Sequence, residues 1–158
     1  MERIFGASAP QNGVVKVSEK SFVLFYGYGE ENGNGYNYRH RFDHMPSVEE
    51  LRSVIEEHIN KLTQDSILTG YVWNGKTVWL SNENQQNYTN DYLTKNLPVK
   101  VRVYGNESDT VGEVVSVESV EELDVFYQGM VRHVRECLEN GWAEKDSVDY
   151  EALSQYEE

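Results

Sequence analysis

The dipeptide Asn74-Gly75 lies between two short runs rich in β-branched and aromatic residues, Tyr71–Trp73 and Lys76–Leu80. Few two-residue sequences restrict a chain more. Both central residues of a type I′ turn need positive φ, which Asn tolerates and Gly adopts freely, so the two runs are expected to form a tight hairpin. Ser81 follows as the N-cap of a helix carrying Asn82, Asn84, Gln85, Gln86, Asn87 and Asn90, with Tyr88, Tyr92 and Leu93 as its only large apolar residues. A solvated face or ligand contacts would both accommodate so many amides. The favoured expectation is structural, with Asn84 and Gln85 hydrogen-bonding backbone groups beside the hairpin.

Other strands are marked by composition and alternation. Phe22–Tyr28 and Tyr36–Phe42 are aromatic-rich and separated by a Gly- and Asn-rich loop, a second hairpin with a longer tip. Val99–Tyr104 alternates valines with polar residues, and Val111–Val117 should pair with it antiparallel. Two long helices are expected. Each opens with the same pentapeptide, Ser47-Val-Glu-Glu-Leu51 and Ser119-Val-Glu-Glu-Leu123, a capping box in which the Ser hydroxyl and the third-position Glu satisfy each other's backbone N–H groups. Shared first-turn chemistry is the favoured source of that repeat, with internal duplication the alternative. Val48, Leu51, Ile55, Ile59 and Leu62 form the stripe of the first helix, expected to end near Thr63. Val120, Leu123, Tyr127, Met130 or Val131, Val134 and Leu138 form that of the second, with Asn140-Gly141 as its stop.

These elements imply an α+β class: a small, mainly antiparallel sheet built from hairpins, packed on two long helices plus the short amide-rich helix. Residues 19–150 are expected to be a single domain, preceded by an N-terminal arm over 1–18 and followed by an acidic tail over 151–158. The arm has few apolar residues, so it is expected to contribute one short strand and to order mainly by docking on a partner.

Charge excludes some functions. With 14 Lys and Arg against 27 Asp and Glu, the net charge of −13 opposes contact with a phosphate backbone, so no nucleic-acid partner is expected. No apolar run approaches a membrane span, and the first residues lack the layout of a signal peptide, so no membrane association is expected and synthesis is placed in a cytoplasm. The sequons at Asn87 and Asn106 then carry no meaning. The lone Cys137 excludes an internal disulfide and is expected to be a small helix residue.

No constellation points to catalysis. His40, Asp43, His44 and His58 are the best metal candidates, but their spacing matches no ligand motif, so no metal and no cofactor is expected. The glycines at 27, 29, 33 and 35 lack the strand-to-helix junction of a phosphate loop. The carboxylates sit in first helical turns and the tail, where solvation and the helix dipole account for them. Hence no catalytic residue is assigned. The residues assigned to contact surfaces are aromatic: Trp73, Trp79, Tyr26, Tyr28, Tyr36 and Tyr38. Such side chains would form core and subunit interface or, less favoured, stack on sugars. Trp73 and Trp79 in particular are expected to bury against the core or a subunit interface.

The succession Tyr71 to Tyr88 with its Trp-Asn-Gly and Glu-Asn-Gln-x-Asn-Tyr motifs, then Leu97-Pro-Val99, Leu123-x-x-Phe-Tyr127 and Gly141-Trp-Ala-Glu-Lys-Asp146, resembles a domain-of-unknown-function family of small tailed-phage and prophage proteins. The resemblance covers roughly Phe42 to Tyr150 and excludes most of the first hairpin. Members are typically encoded by phages of gut bacteria near fibre or tail genes. The resemblance implies a non-enzymatic structural component of the virion, made in the host bacterial cytoplasm, that associates with a head or tail fibre. Other virion proteins and a homo-oligomeric state are the expected partners. A fibre-assembly chaperone absent from the particle, or a carbohydrate-binding host-attachment module, are the alternatives.

Overall fold

The computed structural model describes residues 1–155 as an α+β fold with two antiparallel sheets built from hairpins and packed on long helices. The single sheet expected from the strand patterns is thus replaced by two. Alternation identifies strands but not which edges meet, and here each set of hairpins closes its own core. The chain divides into two compact units, Met1–Asn60 with residues 144–155 and Lys61–Ala143. The expected single domain over 19–150 therefore contains a division that falls inside both long helices.

In the first unit β1 (Glu2–Phe5), β2 (Gly13–Ser18), β3 (Ser21–Glu31) and β4 (Asn34–Phe42) lie in the order β1-β4-β3-β2. The expected arm accordingly supplies two strands rather than one. Glu2 to Phe5 pair with Arg39 to Tyr36, and the amides of Gly6 and Ala7 both donate to the Gly35 carbonyl, at 2.8 and 3.2 Å. Backbone ladders offset the ordering entropy that apolar burial alone would not. One face of the sheet presents Val14, Phe22, Leu24, Tyr26 and Phe42 to Leu51, Ile55 and Ile59 of α1 (Val48–Thr69), and Tyr150 of α4 (Tyr150–Ser154) joins this core. Both halves of the Ser47 capping box form, Ser47 N to Glu50 Oε2 at 2.8 Å and Glu50 N to Ser47 Oγ at 3.2 Å. Of the expected acidic tail, residues up to Ser154 belong to α4; the last three of the chain lie outside the described residues.

In the second unit β5 (Tyr71–Trp73), β6 (Lys76–Val78), β7 (Val99–Tyr104) and β8 (Glu113–Val117) form a simple meander. The β5–β6 turn has φ of 49° at Asn74 and 79° at Gly75, the left-handed pair that Asn-Gly was expected to adopt. Inward-facing Val78, Val101, Val103 and Val117 meet Leu123, Phe126 and Met130 of α3 (Val120–Ser147), with Tyr88 of α2 (Asn82–Thr94) and Ile67 completing the core. The strand orders of the two sheets differ, which gives the duplication reading of the shared pentapeptide no support.

Both long helices overrun their expected ends. No Gly or Pro interrupts the chain between Leu62 and Thr69, and Ile67 continues the buried stripe, so α1 stops only at Gly70. There a Cβ would come within 2.5 Å of the Ser66 carbonyl and 2.8 Å of His133 Cε1. Gly141 is not a stop. It is buried inside α3 against Thr63, where a Cβ would lie 2.5 Å from the Thr63 hydroxyl, so close helix approach compensates the roughly 1 kcal/mol that glycine costs in a helix. Phe126, absent from the expected stripe, is fully buried, whereas Val120 is exposed.

The amides of α2 act on backbone. Ser81 Oγ accepts from Asn84 N at 3.1 Å, Asn84 Nδ2 donates to the Trp79 carbonyl and Gln85 Nε2 to the Leu80 carbonyl, both at 2.9 Å. These bonds pair the segment between hairpin and helix, as expected for Asn84 and Gln85. Replacing both by alanine should cost about 1–3 kcal/mol, since each bond contributes about 0.5–1.5 kcal/mol and two carbonyls lose partners. Chemical denaturation of the double variant measures it; an unaltered midpoint would assign these amides to solvent.

Candidate functional site

The six aromatic candidates do not form one site. The four tyrosines belong to the β3–β4 hairpin, where Tyr26 faces Tyr38 and, one bulge later, Gly29 faces Tyr36. Gly27 supplies the bulge with a φ of 74°. Tyr26 is buried and donates to Glu144 at 2.9 Å; burial first, then this carboxylate, pushes its hydroxyl pKa up. The Tyr38 ring lies 4.2 Å from that of His58, a buried residue of α1. Tyr36 covers Gly29 and meets Phe5 edge-on at 5.6 Å, with the Arg3 guanidinium 5.2 Å from both ring centres. Tyr28 donates to Glu30 at 2.9 Å. Tyr26 is internal packing, whereas Tyr28, Tyr36 and Tyr38 retain partial exposure.

Trp73 and Trp79 lie on opposite faces of the second sheet. Trp73 points inward, half-buried and edge-on to Phe126 at 5.3 Å. Trp79 points outward and is 39% exposed, so of the two expected settings, core or subunit interface, it does not take the first. Its indole stacks on Tyr104 with centroids 3.9 Å apart and planes at 11°. Strand alternation explains the difference: Val78 takes the inward position, and its neighbour must face the other way.

A second exposed apolar surface runs along α3. Met130, Val131, Val134, Leu138 and Trp142 line a groove of about 240 Å³ whose other wall is Gln85 and Thr89 of α2. Val131 and Trp142 are 40% and 52% exposed. Arg135 borders the same groove.

The histidines are dispersed. His40 packs against Phe42 with ring centres 4.7 Å apart, and burial, reinforced by the N-terminal charge, holds its pKa below the ordinary value. Among the described residues no group of three His, Cys, Asp or Glu side chains is arranged to hold a metal ion. His44 instead bridges carboxylates, with Nδ1 2.6 Å from Asp43 and Nε2 2.8 Å from Glu50, and these bonds raise its pKa. A raised histidine pKa gives stabilisation that is complete below the unfolded value of about 6.5 and is lost as pH rises through the higher folded value. An NMR titration should therefore find His44 titrating above the free-histidine range, and His44→Gln should abolish this contribution to pH-dependent stability.

One pair escaped the sequence reading. His133 and Cys137 are one turn apart on α3, with Sγ 3.7 Å from Nε2, and the same nitrogen lies 3.0 Å from the Ser66 carbonyl. The i, i+4 spacing was the available signal. Burial, then the charge of Glu136, pushes the thiol pKa up, the opposite of what a thiolate nucleophile needs. Among the described residues no helix is long and apolar enough to cross a membrane. Comparison of the chain with family models, with curated proteins and with solved structures finds no match in any of the three.

Proposed function

We propose that the chain is a non-enzymatic structural protein of a tailed bacteriophage, a virion component associated with a head or tail fibre that works through protein–protein contacts. The observation that carries the contact-protein part is the α3 groove, where Val131, Val134, Leu138 and Trp142 bring apolar surface together beside α2. Contiguous apolar surface of this kind marks interaction sites, because leaving it in water costs free energy that association recovers. The phage assignment rests on the motif resemblance. Within that motif, the Trp-Asn-Gly turn and the Asn84 and Gln85 amides build the junction between the second hairpin and α2.

The partners proposed are other virion proteins, together with further copies of the chain. Mass spectrometry of purified particles from the encoding phage tests the reading directly: a fixed copy number per particle is expected. Presence in infected-cell lysate but absence from particles would replace it with the assembly chaperone. Light scattering of the isolated chain tests self-association, which Trp142→Ser should weaken if the groove contributes.

A further inference from the structure

The outward face of Trp79 is built more carefully than an incidental surface tryptophan requires. Its carbonyl is held by the Asn84 amide at 2.9 Å and its ring by the Tyr104 stack. Tyr104 is in turn seated against Gly112, where φ is 68° and a Cβ would come within 2.6 Å of the Val103 carbonyl and 2.9 Å of the tyrosine ring. The indole is thus fixed at backbone and ring while staying partly open to solvent. It lines a cleft of about 450 Å³ with Thr69, Thr77, Tyr104, Asn106 and Glu107.

The loop that carries the polar rim is tied to its own backbone. Asp109 accepts from the amides of Gly112, Gly105 and Val111 at 2.8, 3.0 and 3.1 Å, and these N–H groups hold its carboxyl pKa below the usual range. Asn106 Oδ1 accepts from Ser108 N at 2.9 Å, which leaves its NH₂ group to donate elsewhere. A loop tied down through Asp109 and Asn106 therefore presents the Asn106 amide, and the Glu107 carboxylate of the same loop lines the cleft beside the aromatic face.

We propose that this cleft is a saccharide subsite in which a neutral pyranose lays its C–H face on Trp79 while its hydroxyls bond to the Asn106 amide and the Glu107 carboxylate. The two-sided chemistry decides the ligand class. An apolar ligand would leave the amide and carboxylate desolvated without partners, and a phosphorylated one would meet Glu107 in a chain of net charge −13. A sugar ring matches both halves, and a preformed site spares it the ordering cost. This inference stands apart from the virion reading.

The test is an NMR titration of the full chain with lactose, cellobiose and chitobiose, and with choline chloride as a cationic control. The Trp79 indole N–H is assigned by its loss in Trp79→Phe. At least one disaccharide is expected to shift that signal and the Asn106 side-chain amide saturably, in the millimolar range. Asn106→Ala and Glu107→Ala, in an exposed loop, should each weaken that binding about tenfold. Trp79→Ala should abolish it, with the two loop variants deciding the matter if that protein fails to fold. No shift with any disaccharide, a shift with choline alone, or saturable binding indifferent to both loop variants would overturn the proposal.

Discussion

Alanine at Phe126 is expected to lower the stability of the second unit by about 3–5 kcal/mol, the usual range for emptying a buried phenylalanine site. Phe126 is fully buried, and Tyr88, Trp73 and Tyr71 meet its ring edge-on at 5.1, 5.3 and 5.7 Å. Its carbonyl also accepts the Tyr71 hydroxyl at 2.7 Å, and burial pushes that hydroxyl's pKa up to about 12. Truncation removes the body that three aromatic edges rest on, so the void cannot close by one rotamer change. Urea unfolding followed by near-ultraviolet circular dichroism measures the loss. Phe126→Leu, which keeps most of the volume, should cost clearly less, and equal midpoints for the two variants and the parent would show that the ring is not central.

Valine at Gly35 is expected to expel the N-terminal strand. A Cβ there would collide with the Ala7 carbonyl, a backbone atom that no side-chain rotation can move, and it would also approach the Tyr28 hydroxyl at 3.1 Å. Overpacking of this kind costs about 1–3 kcal/mol. The structure has a cheaper response available, which is to release the Gly6 and Ala7 hydrogen bonds to Gly35 and with them the β1 ladder. The cost is then capped at what β1 contributes. Hydrogen exchange should quicken over residues 2–7 while the Leu24, Leu51 and Ile55 core keeps its protection. Unchanged exchange at the N-terminus would show that β1 is held by something other than β4.

Local chemistry was legible in the sequence and long-range closure was not. The Asn74-Gly75 turn, the Ser47 box and the Asn84 and Gln85 bonds each depend on residues within a few positions, and each forms as expected. Partition into two sheets depends on which hairpins share a core, and neither alternation nor propensity encodes that. Gly141 was misjudged for the same reason, since its partner Thr63 is on the other long helix. At the candidate sites, residue type was readable but exposure was not. Trp79 was identified from its aromaticity, whereas Tyr104 appeared only as a strand end, Asn106 only as a sequon without meaning, and Glu107 was given no role. Trp142 entered as part of a motif and not as the end of an open apolar stripe.

The two hairpin tips offer an experimental handle. Among the described residues nothing lies within 4 Å of a Cβ built on Gly33 or on Gly75, and at both points the chain turns back on itself with the glycine exposed. Guest sequence placed there would enter after one strand's ladder has ended and leave before the next begins, so its own looseness is not transmitted into either core. An epitope or a fluorophore-acceptor peptide inserted at either tip would make the chain visible inside the cell that makes it.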